Sequence, residues 1–308
     1  MRAGLLRAMS SGVRSTTASG STGFLPSLYL LFSPLVLHFP PFFSLSRINA
    51  TLQVYESSRA VSEYLLFHFG SPEDVFPYEG EYHGPKEALN FPDRTASVVS
   101  SLSCKKDRVL DIGCAVGGSS FAFTKEFNEV IGIDFSQHFI DAANNLKSNK
   151  TAEYQIQKQG KIFLKRQATL ASNIDTSKVN FQLGDACNLD ASLGTFDVIH
   201  ASNLLCRLPK PRKFIDDIPK FLNPNGYLVL VSPYSWLEEY TESNEWFGAG
   251  GQEGNGSDSF TELQAYIGSS LSLTHQQNIP FLIREHERKF QYGVSHMTIW
   301  KKSPGMTS

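Results

Sequence analysis

Ten residues constrain this chain more than any others: Val109-Leu-Asp-Ile-Gly-Cys-Ala-Val-Gly-Gly118. A short apolar run, Arg108 to Ile112, breaks into small residues and reopens as an apolar-periodic segment from Gly117 to Phe127. That pattern predicts a strand, a tight turn and a helix. The alternation then continues. Glu129 to Ile133 reads as a strand, Gln137 to Leu146 as a helix, Lys178 to Leu183 and Phe196 to Ala201 as strands. Pro211 to Leu222 reads as a helix and Tyr227 to Val231 as a buried strand. Strands alternating with helices predict a parallel sheet covered on both faces. The tail differs: Leu271 to Gln277 and Val294 to Trp300 look like strands separated by a charged loop, which predicts an antiparallel hairpin at the sheet edge. The expected class is α/β, a doubly wound and mostly parallel sheet with an antiparallel C-terminal edge strand. Ahead of it, Glu56 to Phe69 reads as a helix stopped by Gly70-Ser-Pro72. Pro77 to Pro92 reads as an ordered loop and Arg94 to Ser101 as a short helix. Lys147 to Ser177 is rich in Lys and Gln and is expected as a solvated helix.

The first 50 residues are a different kind of sequence. No acidic residue precedes Glu56, and Arg2, Arg7 and Arg14 lie among Ser, Thr, Ala and Gly, the composition of an organellar transit peptide. Phe24 to Ser46 carries no Asp, Glu, Lys or Arg and is long enough for a membrane span. Pro26, Pro34, Pro40 and Pro41 interrupt it, however, and an interior proline costs a helix about 3 kcal/mol. Residues 1–50 therefore read as a targeting or disordered leader and 51–303 as one domain, in the cytoplasm or, with a transit peptide, in an organelle. A net charge of -2 gives no basic stripe for nucleic acid. The 4 cysteines have no paired spacing, so reduced thiols are expected and no metal site.

Open parallel sheets bind ligands beyond the carboxyl ends of their strands, and small residues there let the backbone come close. Asp134 ends the second strand, roughly 20 positions past the glycine turn, where an acid is placed to bond a ribose diol. Asp185, in Gly184-Asp-Ala186, follows the third strand and is placed for an adenine amino group. The glycines do not follow G-x-G-x-x-G, and Asp111 would repel a pyrophosphate while suiting a sulfonium or ammonium. A cationic nucleoside is thus favoured over NAD. The plain alternative is a turn built for packing, with Asp134 capping the next helix.

The pattern resembles the first motif of the class I methyltransferases, acid-x-Gly-x-Gly-x-Gly, with Ala115 at the middle glycine. The resemblance implies their Rossmann-like fold and S-adenosylmethionine (SAM) as cofactor. Its implied cofactor contacts are Asp111, Gly113, Ala115, Gly117, Asp134, Asp185, Ala186 and Asn203. A narrower resemblance rests on Asp111-Ile-Gly-Cys-Ala-Val-Gly117, Asn203-Leu-Leu-Cys-Arg-Leu-Pro209, Ser232-Pro-Tyr-Ser-Trp-Leu-Glu-Glu-Tyr240 and Pro280-Phe-Leu-Ile-Arg-Glu-His286. These phrases look like the C-terminal methyltransferase domain of the bifunctional ovothiol-biosynthesis enzymes, and the likeness runs from about Tyr55 to Trp300. It implies N-methylation of a ring nitrogen of 4-mercaptohistidine. Those enzymes carry an iron-dependent sulfoxide synthase ahead of this domain, so a separate synthase is the implied partner. Two alternatives stand beside it: a methyltransferase for another small molecule, or a non-catalytic SAM-binding subunit of such a synthase.

Methyl transfer is an in-line displacement governed by positioning, so no acid or base is assigned. A zwitterionic heteroaromatic acceptor still needs partners. Arg207 could pair with a carboxylate in bidentate fashion; a surface ion pair is its plain alternative. Tyr234, Trp236, Glu238, Glu239 and Tyr240 offer ring faces and carboxylates, or simply pack as a lid. Arg284 and His286 sit in the charged segment Arg284 to Arg288, and Tyr64 and His68 share one helix face that could cap the pocket.

Overall fold

The computed structural model describes residues 55–78, 84–249 and 256–303. The leader, its transit-peptide reading and the apolar stretch Phe24 to Ser46 all lie outside the described residues. Among those described, no helix is long and apolar enough to cross a membrane.

A seven-stranded sheet runs in the order β5-β2-β1-β6-β7-β9-β8. Its parallel strands are β1 (Arg108–Ile112), β2 (Glu129–Asp134), β5 (Val179–Leu183), β6 (Phe196–Ser202) and β7 (Leu222–Ser232). β9 (Lys289–Lys302) pairs antiparallel with β7, and β8 (Leu271–His286) pairs antiparallel with β9 at the edge. The doubly wound sheet with an antiparallel C-terminal edge is the expected class. Alternate residues of each strand feed two cores. Val109, Val130, Val198 and Val229 face one, Leu110, Ile131, Ile199 and Leu228 the other, which is why the central strands read as continuous apolar runs.

The helices start at a capping side chain, an early proline or the glycine turn. α1 (Ser58–Phe69) starts at Ser57, whose hydroxyl accepts from the Ala60 N–H, and ends at Gly70. α2 (Pro72–Val75) is one turn behind Ser71. α3 (Phe91–Ser100) has proline in its first turn, and α4 (Gly118–Phe123) follows the glycine turn. α5 (Gln137–Asn149) is capped by Ser136. α6 (Pro211–Asp217) passes into a 3-10 turn before β7, and α7 (Ser259–Ile267) is capped by Asp258.

Two expectations are corrected. Lys147 to Ser177 is not a solvated helix: α5 runs on to Asn149, and β3 (Thr151–Gln159) and β4 (Ile162–Thr169) form a separate antiparallel hairpin turning at Gly160. Ala152, Tyr154 and Ile156 alternate with polar residues and are buried, a period of two masked by the overall Lys and Gln content. Arg284 to Arg288 is not a loop either. Arg284 and His286 belong to β8, paired with Phe290 and Lys289, and only Glu287 and Arg288 turn. The β8–β9 pair is consequently a long arm that outruns β7, whose last partner on β9 is His296.

Candidate active site

The glycine turn is held by backbone and by one carboxylate. The N–H groups of Gly113 and Cys114 both donate to the Ile133 carbonyl, at 2.8 and 3.0 Å, tying the end of β1 to the end of β2. The chain then takes positive φ at Gly113 (72°), Ala115 (47°) and Gly117 (88°). Ala115 is the unexpected member, since an L-residue in this region costs about 1–2 kcal/mol. The Asp134 Oδ2 accepts its N–H at 2.9 Å and Oδ1 accepts from Ser136 at 2.9 Å. One carboxylate therefore fixes the strained residue and the entry to α5. Burial pushes Asp134 up to about 6, against those hydrogen bonds, which pull it down. A Cβ on Gly117 would meet the Phe181 ring at 2.6 Å, so this glycine serves packing as well as its turn.

Asp111 is bonded on both oxygens. Ser120 Oγ donates to Oδ2 at 2.5 Å, and Oδ1 lies 2.8 Å from His200 Nδ1. Asp111 and His200 are directly opposite on β1 and β6, and both are buried. Asp111 thus stitches β1 to β6 and to α4, and any effect on a cationic ligand acts through its charge rather than through a free oxygen. His200 was not singled out in the sequence. Its signal was a histidine in the apolar run Phe196–Ala201, where Asp197 is the other polar residue, but its partner is visible only through sheet register.

A cavity of about 790 Å³ opens at the carboxyl ends of these strands. Asp111, Gly113, Ala115, Asp134, Asp185, Ala186 and Asn203 line it; Gly117 does not. Asn203 has positive φ (53°), and its Oδ1 accepts from Ser295 Oγ at 2.7 Å, linking β6 to the arm. Tyr64 and His68 of α1 face the cavity, as do Glu239, Tyr240 and Arg207. The arm supplies Phe281, Ile283, Tyr292 and Val294 as a further wall. Burial pushes the Tyr64 and Tyr240 hydroxyls well up, so both stay neutral donors.

Arg207 is half-buried and has no carboxylate partner among the described residues. It donates to the Ser235 carbonyl at 2.6 Å and the Cys206 carbonyl at 3.1 Å, and its guanidinium lies 4.9 Å from the centre of the Tyr240 ring. The surface ion pair is therefore not what holds it. Other expected substrate contacts lie outside the cavity lining. The Tyr234 hydroxyl pairs with His296, and Trp236 donates to Ser259 and stacks on Trp246. Glu238 is exposed. Arg284 is buried and donates to the Asp74 carbonyl of α2, and His286 Nδ1 accepts from the Arg288 N–H in the hairpin turn. Those two act in the arm's structure. Among the described residues no cluster of His, Cys, Asp or Glu could hold a metal.

The sequence profile of a methyltransferase domain family matches residues 85–278. The chain belongs to this family. It is 25% identical over 166 residues to an uncharacterized methyltransferase, C1B3.06c, of Schizosaccharomyces pombe, covering 52% of this chain and 53% of that protein. It is 26% identical to norajmaline N-methyltransferase of Rauvolfia serpentina, over 47% of this chain and 41% of that one. The chain spans about half the length of the curated relatives it matches. Among solved structures, N-methyltransferase NodS from Bradyrhizobium japonicum in complex with S-adenosyl-L-homocysteine (SAH) is 15% identical, covering 80% of this chain and 98% of that one with a TM-score of 0.46. Magnesium protoporphyrin IX methyltransferase from Synechocystis with bound SAH is 13% identical, covering 83% and 100%, with a TM-score of 0.49.

The cofactor of this class I methyltransferase domain is SAM, and the site's own residues fit it. Asp134 is a buried carboxylate at the rim of a cavity large enough for a nucleoside and an acceptor. Ser202 Oγ, on the cavity-lining end of β6, is buried with no hydrogen-bond partner among the described residues. Asp134 would hold the ribose and Asp185 the adenine amino group.

Proposed function

We propose that the chain transfers the methyl group of SAM to a ring nitrogen of a small zwitterionic heteroaromatic, 4-mercaptohistidine. The observation that carries the acceptor's class is Arg207, a guanidinium at the cavity wall, stacked on Tyr240 and with no carboxylate partner among the described residues. Such a group binds a carboxylate in a fixed fork geometry. Tyr55, Tyr64 and Phe139 line the cavity close by, with Tyr64 and Phe139 4.7 Å apart and Tyr55 and Tyr240 6.3 Å apart. They present ring faces to a planar acceptor and exclude water.

SAM supplies an electrophilic methyl carbon on a sulfonium. The protein contributes position: Arg207 anchors the carboxylate, the aromatic residues orient the ring, and the nitrogen lone pair would form the new C–N bond as the S–CH3 bond breaks, its electron pair returning to sulfur and SAH leaving. A neutral imidazole nitrogen is already nucleophilic, and the ring's other N–H proton leaves to solvent after transfer. No side chain is needed as a strong base. Nitrogen as the accepting atom is in keeping with the N-methyltransferases among the similar proteins. On this reading the acceptor's carbon–sulfur bond is made by a separate iron-dependent sulfoxide synthase.

The test is to incubate the purified chain with SAM, 4-mercaptohistidine, other thiol-histidines and histidine, and to follow the mass gain of one methyl. Methylation of 4-mercaptohistidine with histidine a poor acceptor is expected, because a site shaped for the thiol-histidine loses its contacts to the sulfur when histidine binds. Histidine methylated as fast, or SAH bound with no thiol-histidine methylated, overturns the reading.

A further inference from the structure

Gly118 has a place in the sequence that the turn itself does not explain. It opens α4 without a positive φ, so its backbone does not call for glycine. What calls for it is His68. A Cβ at Gly118 would lie 2.6 Å from His68 Nδ1 and 2.9 Å from Cγ. The missing side chain lets the imidazole sit against the backbone, and the Gly118 N–H donates to Nδ1 at 3.0 Å. The ring comes from α1, 50 residues earlier, and Tyr64, Phe67 and Phe69 pack around it at 5.3–6.1 Å between ring centres.

That one bond decides the chemistry of the ring. A backbone N–H can only donate, so Nδ1 carries a lone pair, and the proton of the neutral ring is on Nε2. Burial also lowers the group from 6.5 to about 4, which keeps the ring neutral at physiological pH. Nε2 has no hydrogen-bond partner among the described residues, and His68 lines the cavity. In this tautomer the ring offers a hydrogen and no lone pair, so it does not act as a base towards an acceptor proton.

We propose that His68 is a fixed Nε2–H donor that binds the carboxylate of an α-amino acid in the cavity, and that Gly118 is glycine to hold it there. This rests on the methyl-transfer reading, in which cofactor and acceptor each bring an α-amino-acid group. Asp111 is the charged group in electrostatic reach of the ring. An α-amino acid presents opposite charges to the two, its ammonium towards the negative Asp111 and its carboxylate towards the N–H. A neutral donor beside an anion makes a charge-assisted bond, stronger than a neutral pair. The carboxylate is that of the methionyl end of SAM or that of the acceptor; the chemistry is shared, and affinities separate the two. His68 is a positioning residue.

The experiment uses the full chain with His68→Phe, which keeps a ring and removes both nitrogens, and His68→Gln, whose amide can accept from Gly118 and still donate. Calorimetry compares SAM with decarboxylated SAM, and steady-state rates are taken with 4-mercaptohistidine. If the carboxylate is the cofactor's, His68→Phe weakens SAM about ten-fold or more while decarboxylated SAM is unchanged, and His68→Gln recovers most of the loss. If it is the acceptor's, SAM binding holds and the KM for 4-mercaptohistidine rises about ten-fold with kcat near wild type. Equal weakening of SAM and decarboxylated SAM means the ring only props the glycine turn and overturns the proposal, as does no change in either affinity or KM. Should His68→Phe fail to fold, the wild type decides. It must discriminate about ten-fold against decarboxylated SAM or decarboxylated 4-mercaptohistidine, and equal treatment of both pairs overturns the proposal. A wild type that binds SAM but methylates no thiol-histidine refutes the functional reading alone and leaves the calorimetric arm intact.

Discussion

Asp134 should make cofactor binding depend on pH in a window where few carboxylates titrate. Burial lifts its carboxyl from 3.8 to about 6 in the ligand-free protein. Ribose hydroxyls donate to the ionised form and favour it, so binding shifts the group back towards ionisation. Affinity is therefore full above pH 6 and falls as pH drops through that value. One unit below, at pH 5, only about one molecule in eleven is ionised, so apparent affinity falls roughly ten-fold, about 1.4 kcal/mol. Folding responds with the opposite sign. A folded-state pKa above the unfolded one means that folding takes up a proton between pH 3.8 and 6. Ionisation of Asp134 then costs the ligand-free protein up to about 3 kcal/mol at pH 7, recovered on acidification. Calorimetric titration with SAH from pH 7.5 to 5 measures the first effect. Wild type should weaken about ten-fold by pH 5, while Asp134→Asn should bind more weakly at pH 7.5 and stay flat. His68 titrates near 4, below the window. An unchanged wild-type affinity at pH 5, or an Asp134→Asn variant that follows the wild-type curve, refutes the ribose assignment.

Four further outcomes follow from the same geometry. Arg207→Ala should lower turnover with 4-mercaptohistidine ten-fold or more, the scale of about 2–5 kcal/mol for unpairing a buried charge, with SAH affinity near wild type. Glu238→Ala, at an exposed residue outside the cavity lining, should change neither rate nor affinity in the same assay. His200→Leu leaves Asp111 buried with Ser120 as its remaining side-chain partner and should cost about 3–5 kcal/mol in urea denaturation; a loss under 1 kcal/mol would show that Asp111 is not charged there. A chain starting at Asn49 should remain folded and bind SAH as the full chain does, read by melting and calorimetry, because every described residue that lines the cavity lies beyond it.

The sequence alone determined the periodic and the local. β1 and the other central strands were legible because strands buried on both faces read as unbroken apolar runs. The glycine turn was legible because the chain reverses where side chains vanish. Asp111, Asp134 and Asp185 stood out as acids at strand ends, and all three line one cavity. Composition misled over Lys147 to Ser177, where Lys and Gln on the open face of β3 and β4 hid the alternation of Ala152, Tyr154 and Ile156. Only the tertiary structure could decide who meets whom. Asp111 meets His200 because sheet register sets them opposite each other 89 positions apart, and His68 meets Gly118 across 50. Arg207 and Glu238 both follow strand ends as charged residues in loops, yet one stacks on Tyr240 at the cavity and the other faces water. Arg284, which reads as a loop charge, is buried against α2 because the β8–β9 arm runs past the end of β7. Spacing along a chain reports which side of its own element a residue takes; which element comes to face that side depends on packing between distant segments, and that is where the site was made.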